Sequence, residues 1–125
     1  MKTKKTILFL EDEQELLNTV SLLLTDQGYD VCSATSAEEA LSQMNNPRIF
    51  DLILADIKLP GIDGFDFYRN VRTMPQYRST PFVYLTAFNN LQAAVQAKKQ
   101  GAAEYITKPF DFEYLITRVK DLLPP

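Results

Sequence analysis

Residues 6–24 read TILFLEDEQELLNTVSLLL, and the fold follows from the change of period inside that stretch. Thr6-Ile7-Leu8-Phe9-Leu10 is a short unbroken apolar run, the pattern of a strand covered on both faces. After Glu11-Asp12-Glu13 the apolar positions become Leu16, Leu17, Val20, Leu23 and Leu24, one stripe of an amphipathic helix that Gly28 ends. Strands joined by helices run parallel, because only a long crossover returns the chain to the same edge of the sheet.

The same switch recurs along the chain. Tyr29 to Ala34 reads as a second strand, and Ser36-Ala-Glu-Glu39 as a capping box opening a helix with the stripe Ala37, Ala40, Leu41 and Met44, stopped by Pro47. Asp51 to Ala55 is the third and most apolar strand. Phe65, Tyr68, Val71 and Met74 mark a helix after Gly64, and Phe82 to Leu85 a fourth strand. Leu91, Ala94 and Val95 predict a helix of modest hydrophobicity closed by Gly101, followed by a strand at Glu104 to Thr107. The last helix carries Phe112, Leu115, Ile116, Val119, Leu122 and Leu123, with Asp111 as N-cap and Pro124-Pro125 as its stop. Right-handed crossovers then give an α/β doubly wound five-stranded parallel sheet, flavodoxin-like, in the order 2-1-3-4-5. Residues 1–125 are expected to form a single domain with no internal repeat or linker.

Composition narrows the function classes. Hydrophobic residues make up 46% and charged residues 23%, which excludes disorder as the main state. No histidine is present, so a Ser-His-Asp triad and a histidine-ligated zinc site are excluded, and the one cysteine, Cys32, cannot pair within the chain. A net charge of −3 without a basic stripe argues against direct nucleic-acid binding. Apolar runs fall far short of the roughly 20 residues needed to cross a bilayer, and those before Glu11 are too few for a signal peptide. A cytoplasmic protein without membrane association is expected.

In doubly wound folds the ligand sits beyond the carboxyl ends of the strands, here between the first and third. Glu11-Asp12-Glu13, Asp56, Thr86-Ala87 and Lys108-Pro109 follow the first, third, fourth and fifth strands. Taken singly, each has an ordinary structural explanation: acids at a helix start favour its dipole, Thr86 could cap the next helix, and a lone lysine is usually solvated. Together they converge. Clustered carboxylates raise each other's pKa unless a cation compensates, and magnesium suits a site of one or two carboxylates completed by water and phosphate oxygens. Lys108 could hold one carboxylate and later a phosphoryl oxygen. Phosphoryl transfer is the chemistry such a site serves, with Asp56 as the candidate nucleophile that becomes an acyl phosphate.

Ile-Leu-Phe-Leu-Glu-Asp-Glu13, Asp56-Ile-Lys-Leu-Pro-Gly-Ile-Asp-Gly64, Leu85-Thr-Ala87 and Gly101-Ala-Ala-Glu-Tyr-Ile-Thr-Lys-Pro-Phe110 resemble the response-regulator receiver domain of two-component signalling. The resemblance runs from about Lys5 to Leu123. It implies that Asp56 accepts phosphate from a sensor histidine kinase or a histidine phosphotransfer protein, and that the domain is not a turnover enzyme on an external substrate. It further implies a Mg2+ site formed by Asp12, Asp56 and the backbone carbonyl of Lys58, with Glu11 acting through water. Thr86 and Lys108 would bind phosphoryl oxygens, Thr86 and Tyr105 would form the switch pair, and the Lys108-Pro109 bond would be cis. A downstream effector domain or target protein, or a homodimer through the fourth helix, fifth strand and fifth helix, would read the output.

Three rivals share parts of this pattern. A flavin binder of the same fold would place Glu11-Asp12-Glu13 against the flavin phosphate, where like charges repel. A haloacid-dehalogenase-type phosphatase needs an acid two residues after its nucleophile, and that position is Lys58. A degenerate receiver acting only as an interaction module is the remaining alternative, opposed by the retention of Glu11, Asp12, Asp56, Thr86 and Lys108. Whether this is a stand-alone receiver or part of a longer regulator stays open, as do the kinase and the output. Lys58 and Phe88 are expected to flank the path of water to the phosphoryl group.

Overall fold

The computed structural model describes residues 4–124. Five strands, β1 (Thr6–Leu10), β2 (Asp30–Ala34), β3 (Leu52–Ala55), β4 (Phe82–Thr86) and β5 (Glu104–Thr107), alternate with five helices. These are α1 (Gln14–Asp26), α2 (Ala37–Met44), α3 (Gly64–Arg72), α4 (Leu91–Gln100) and α5 (Phe112–Leu122). All strand pairs are parallel and the order is β2-β1-β3-β4-β5, the flavodoxin-like arrangement predicted from the alternation of periods. The inner strands β1, β3 and β4 are buried along their whole length, because helices cover both faces. Ile7, Phe9, Leu54 and Val83 face α1 and α5, while Leu8, Ile53, Phe82 and Tyr84 face α2, α3 and α4. Among the described residues no helix is long and apolar enough to cross a membrane.

Local chemistry sets most boundaries where the sequence placed them. Gly28 and Gly101 take φ values of 98° and 101°, the left-handed turn that closes α1 and α4. Asp111 caps α5 by accepting the Glu113 N–H at 2.9 Å. Ser36 caps α2 by accepting the Glu39 N–H at 3.1 Å, but the return arm of the box goes to Thr35 N–H rather than to Ser36. The second strand begins at Asp30, since the Tyr29 amide still closes the end of α1 by donating to Leu24 O. Helix α2 ends at Met44, before Pro47, as Asn45 and Asn46 fold back on Ser42 and Gln43.

Three expectations about packing need correction. The buried face of α4 is Ala93 and Ala97, whereas Leu91 and Val95 are 81% and 44% exposed. Ala93 and Ala97 join the cluster that holds the rings of Phe82 and Tyr84. Met74 lies beyond α3, leading into an unforeseen 3-10 turn at Pro75–Tyr77, where the buried Tyr77 hydroxyl accepts the Phe50 N–H at 3.2 Å. Phe112 is 41% exposed and stacks edge-on against Phe110, leaving Leu115 and Val119 to bury α5. Pro125, named with Pro124 as the stop of the last helix, lies outside the described residues.

Candidate functional site

The central strands end together. The Glu11 amide donates to Ala34 O at 3.0 Å and the Asp56 amide to Leu10 O at 3.0 Å, which continues the ladder one rung past β1 and β3. Glu11 and Asp56 are thereby fixed side by side at the switch point of the sheet, 0% and 6% exposed. Thr86 occupies the last rung of β4 and is fully buried; its carbonyl accepts the Lys108 N–H at 2.8 Å, which sets where the lysine leaves β5. The Lys108-Pro109 peptide is cis, as the resemblance implied.

Lys108 joins the acids. Its ammonium donates to Glu11 Oε1 at 2.6 Å and to Asp56 Oδ2 at 3.1 Å. The other Asp56 oxygen, Oδ1, accepts the N–H groups of Ile57 at 2.6 Å and Lys58 at 3.3 Å. Glu11 Oε2 accepts the Glu13 N–H at 3.1 Å, so this acid is anchored at both oxygens. Burial pushes the Glu11 carboxyl above its ordinary range, against the pull of the Lys108 hydrogen bond and charge. For Lys108, desolvation works to lower the pKa, but the hydrogen bond to Glu11 and the negative charges of Asp56 and Glu11 outweigh it, and the net direction is upward.

One ammonium faces three acids. Asp12 is exposed at the rim, yet one oxygen each from Glu11, Asp12 and Asp56 lies within 4.8 Å of the others. An all-oxygen donor set with excess negative charge fits a hard divalent cation such as Mg2+. Beside it opens a cavity of about 150 Å³ lined by Asp56, Lys58, Thr86, Ala87 and Phe88. The Lys58 ammonium sits 4.7 Å above the centre of the Phe88 ring, a cation–π pair across the mouth of this cavity.

Glu11, Asp12, Asp56, Lys58, Thr86 and Lys108 lie together at this edge of the sheet, whereas Tyr105 sits inside β5 opposite Tyr84. Thr86 does not cap α4, whose N-cap is Asn90; its hydroxyl accepts the Phe88 N–H at 3.1 Å. Tyr105 is half-buried, its ring 6.0 Å from that of Tyr84 and its hydroxyl donating to the Phe88 carbonyl. Burial, then the nearby Asp56 charge, raises its phenol pKa. Lys58 meets Asp56 through its backbone N–H, while its side chain goes to Phe88.

Gly64 is the residue that sequence reasoning passed over. A Cβ there would fall on the Asp56 carbonyl oxygen and 2.7 Å from Ile57 Cα, so the start of α3 packs directly on the backbone of the proposed nucleophile. The signal was present as a glycine at the first helical position, where an acid, serine or proline is the commoner choice.

Comparison with known proteins agrees with this fold. Residues 7–120 match the family described as the response regulator receiver domain. The response regulator ArlR of Staphylococcus aureus is 36% identical over 117 residues, covering 94% of this chain and 52% of that protein. The chain thus spans about half the length of the curated relatives it matches. Among solved structures, the chemotaxis response regulator CheY4 of Vibrio cholerae is similar at 33% identity with a TM-score of 0.88, covering 97% of this chain and 100% of that one. The non-phosphorylated HemR receiver domain from Leptospira biflexa gives 31% identity and a TM-score of 0.87, covering 98% and 96%.

Proposed function

Since this chain belongs to the response regulator receiver family of two-component systems, we propose that it accepts a phosphoryl group on Asp56 and switches a partner-binding face in response. The observation that carries this reading is the placement of Asp56: at the end of the central strand, beside Glu11, held by Lys108 and open to the cavity under Lys58 and Phe88. A carboxylate oxygen of Asp56 attacks phosphorus on the phosphohistidine of a sensor histidine kinase or histidine phosphotransfer protein. The P–N bond breaks, the imidazole leaves with its electron pair, and an acyl phosphate remains.

The residues around Asp56 have distinct tasks. Two backbone N–H groups on Oδ1 fix the carboxylate plane, so little reorganisation is needed during attack. Lys108 moves from its shared position between the acids to a phosphoryl oxygen, and the Thr86 hydroxyl binds another. Asp12, Asp56 and the Lys58 backbone carbonyl would hold Mg2+, with Glu11 assisting through water. When bound, the ion supplies positive charge that offsets the acids and the incoming phosphoryl oxygens.

The protein acts on itself alone, as a cytoplasmic signalling module and not as a turnover enzyme. Its output goes to an effector domain, a target protein or a second copy through α4, β5 and α5, with no direct nucleic-acid binding by this domain itself and no membrane contact. Exposed Leu91 and Val95 on α4 add apolar surface to that face. Of its charges, Arg118 is already paired with Glu104 at 2.7 Å and Asp121 at 2.9 Å, which leaves Lys98, Lys99 and Lys120 to steer a partner.

Intact-mass measurement with Mg2+ and acetyl phosphate tests the acceptor. One phosphoryl group is expected on the wild type and none on Asp56→Asn; undiminished labelling of the variant removes Asp56 from its role.

A further inference from the structure

Tyr84 lies fully buried in β4, two residues before Thr86 and on the same face of the sheet. A buried phenol needs a partner for its hydroxyl. This one donates to Gln100 Oε1 at 2.7 Å, on the last residue of α4, and the Gly64 carbonyl at the start of α3 lies 3.5 Å away. Gln100 is bound to α3 twice more: its Nε2 donates to Phe65 O at 3.4 Å, and its carbonyl accepts the Tyr68 hydroxyl at 2.8 Å. Gly64 in turn rests on the Asp56–Ile57 peptide, with its amide donating to Ile57 O at 2.7 Å. A continuous set of contacts therefore runs from the backbone of Asp56, through Gly64 and Tyr84, to the end of α4.

A phenol carries one proton, and here two carbonyl oxygens on two helices compete for it. The Gly64 carbonyl already serves the first turn of α3 and the Gln100 amide oxygen has this phenol as its donor, so the single proton defines two discrete arrangements and not a continuum. Burial pushes the Tyr84 phenol far above its usual range, so the proton stays on the side chain in both. In this structure it is directed at Gln100, and the end of α4 is held against α3.

We propose that Tyr84 is a hydrogen-bond toggle that reports the state of Asp56 to α4. The inference rests on the reading of Asp56 as phosphoacceptor. Ile57 and Lys58 now donate to Asp56 Oδ1, and these bonds change when the carboxylate becomes an acyl phosphate. The Asp56–Ile57 peptide then shifts against Gly64, which has no side chain to absorb the movement. Its carbonyl becomes the acceptor of the Tyr84 hydroxyl, and the Gln100 end of α4 is released. This linkage acts beside the Thr86–Tyr105 pair and enters α4 from the opposite end.

Amide spectra of the isotope-labelled chain, with and without Mg2+ and beryllofluoride as phosphoryl mimic, read both ends of the linkage. Wild type is expected to respond at Asp12, Asp56 and Thr86 and also along Leu91–Gln100. Tyr84→Phe keeps the response at the site and loses it at the Gln100 end of α4. Gln100→Leu gives the same loss, and the double variant loses nothing further, as residues of one linkage should. If Tyr84→Phe does not fold, Gln100→Leu carries the comparison alone. An undiminished α4 response in the folded variants overturns the toggle and leaves the reading of Asp56 standing. No response at the site in wild type overturns that reading and the toggle with it.

Discussion

Against α1 and α5 the sheet presents Ile7, Phe9, Leu52, Leu54, Val83 and Leu85, which meet Leu17, Val20, Leu24, Leu115 and Val119. Against α2, α3 and α4 it meets Phe65, Phe67, Tyr68 and Tyr77 beside the alanines Ala37, Ala40, Ala93 and Ala97. The first face is mostly branched aliphatic packing, whose strength is the area it removes from water. The second interleaves rings with methyl groups, and its phenols are each tied to a backbone or amide oxygen or to an amide N–H: Tyr68 and Tyr84 to Gln100, Tyr105 to Phe88 and Tyr77 to Phe50. Directional bonds have alternatives where aliphatic packing has only better or worse fit. One face holds the fold, and the other, which also touches the back of Asp56, is able to change state.

That division can be broken first at its strongest point. Leu24→Ala on the aliphatic face is expected to cost about 2–5 kcal/mol of stability, the usual range for a fully buried leucine, and to leave Asp56 labelling unchanged. Urea unfolding followed by intact-mass labelling of the folded variant decides it; lost labelling would show that both faces serve the site.

Gly64→Ala is the counterpart on the other face. The added methyl must displace the Asp56–Ile57 backbone, at a cost of roughly 1–3 kcal/mol by the measure of overpacked sites. Here labelling of Asp56 by acetyl phosphate is expected to slow as well. A stability loss with wild-type labelling would detach α3 from the site.

A kinetic effect of comparable size is expected at the cavity mouth. The Lys58 ammonium over the Phe88 ring is expected to keep ordered water from an acyl phosphate on Asp56. Replacing the pair by Lys58→Asn and Phe88→Glu opens that route and is expected to speed dephosphorylation by one to two orders of magnitude, about 1.4–2.7 kcal/mol of barrier. Decay of the phosphorylated species measured by mass gives the rate. Equal or slower decay in the double variant means that these side chains do not guard the phosphate.

The least effect belongs to a residue outside both faces. Asp111→Ala removes the cap of α5 and is expected to cost about 1 kcal/mol in urea unfolding, with no change in labelling or lifetime.

How much of this was legible in the sequence depends on the range of the interaction. Strands, helix stripes and caps are local, and Thr6–Leu10, Asp111 and Gly101 declared themselves through period and residue type. The acids and Lys108 were legible because a parallel sheet delivers its carboxyl ends to one edge whatever the details of packing. The face of α4 was not: Leu91 and Val95 outrank alanine on any hydrophobic scale, yet Ala93 and Ala97 are the residues that join the ring-rich cluster. The link from Tyr84 to Gln100 joins residues 16 positions apart that neither pattern nor spacing announces, and the packing of Gly64 on Asp56 showed only as a glycine at the first helical position. The pairing of Lys58 with Phe88 lay between these cases, since both were expected at the water path but not in contact with each other.

Helix α4 stands on Ala93 and Ala97, and those two methyl groups have a thermodynamic consequence. A buried methyl is worth roughly 0.8 kcal/mol, against about 1.5–3 kcal/mol for each buried leucine or valine side chain of the kind that anchors α1. Local opening of α4 is accordingly the cheapest excursion available to a helix of this sheet, and its amides are expected to exchange with solvent hydrogen ahead of those of α1. A partner that grips Leu91 and Val95 meets a segment with a tunable probability of being closed. On the proposed reading of this face, the signal delivered there is a change in how often the helix is docked, and only secondarily a change in where it lies.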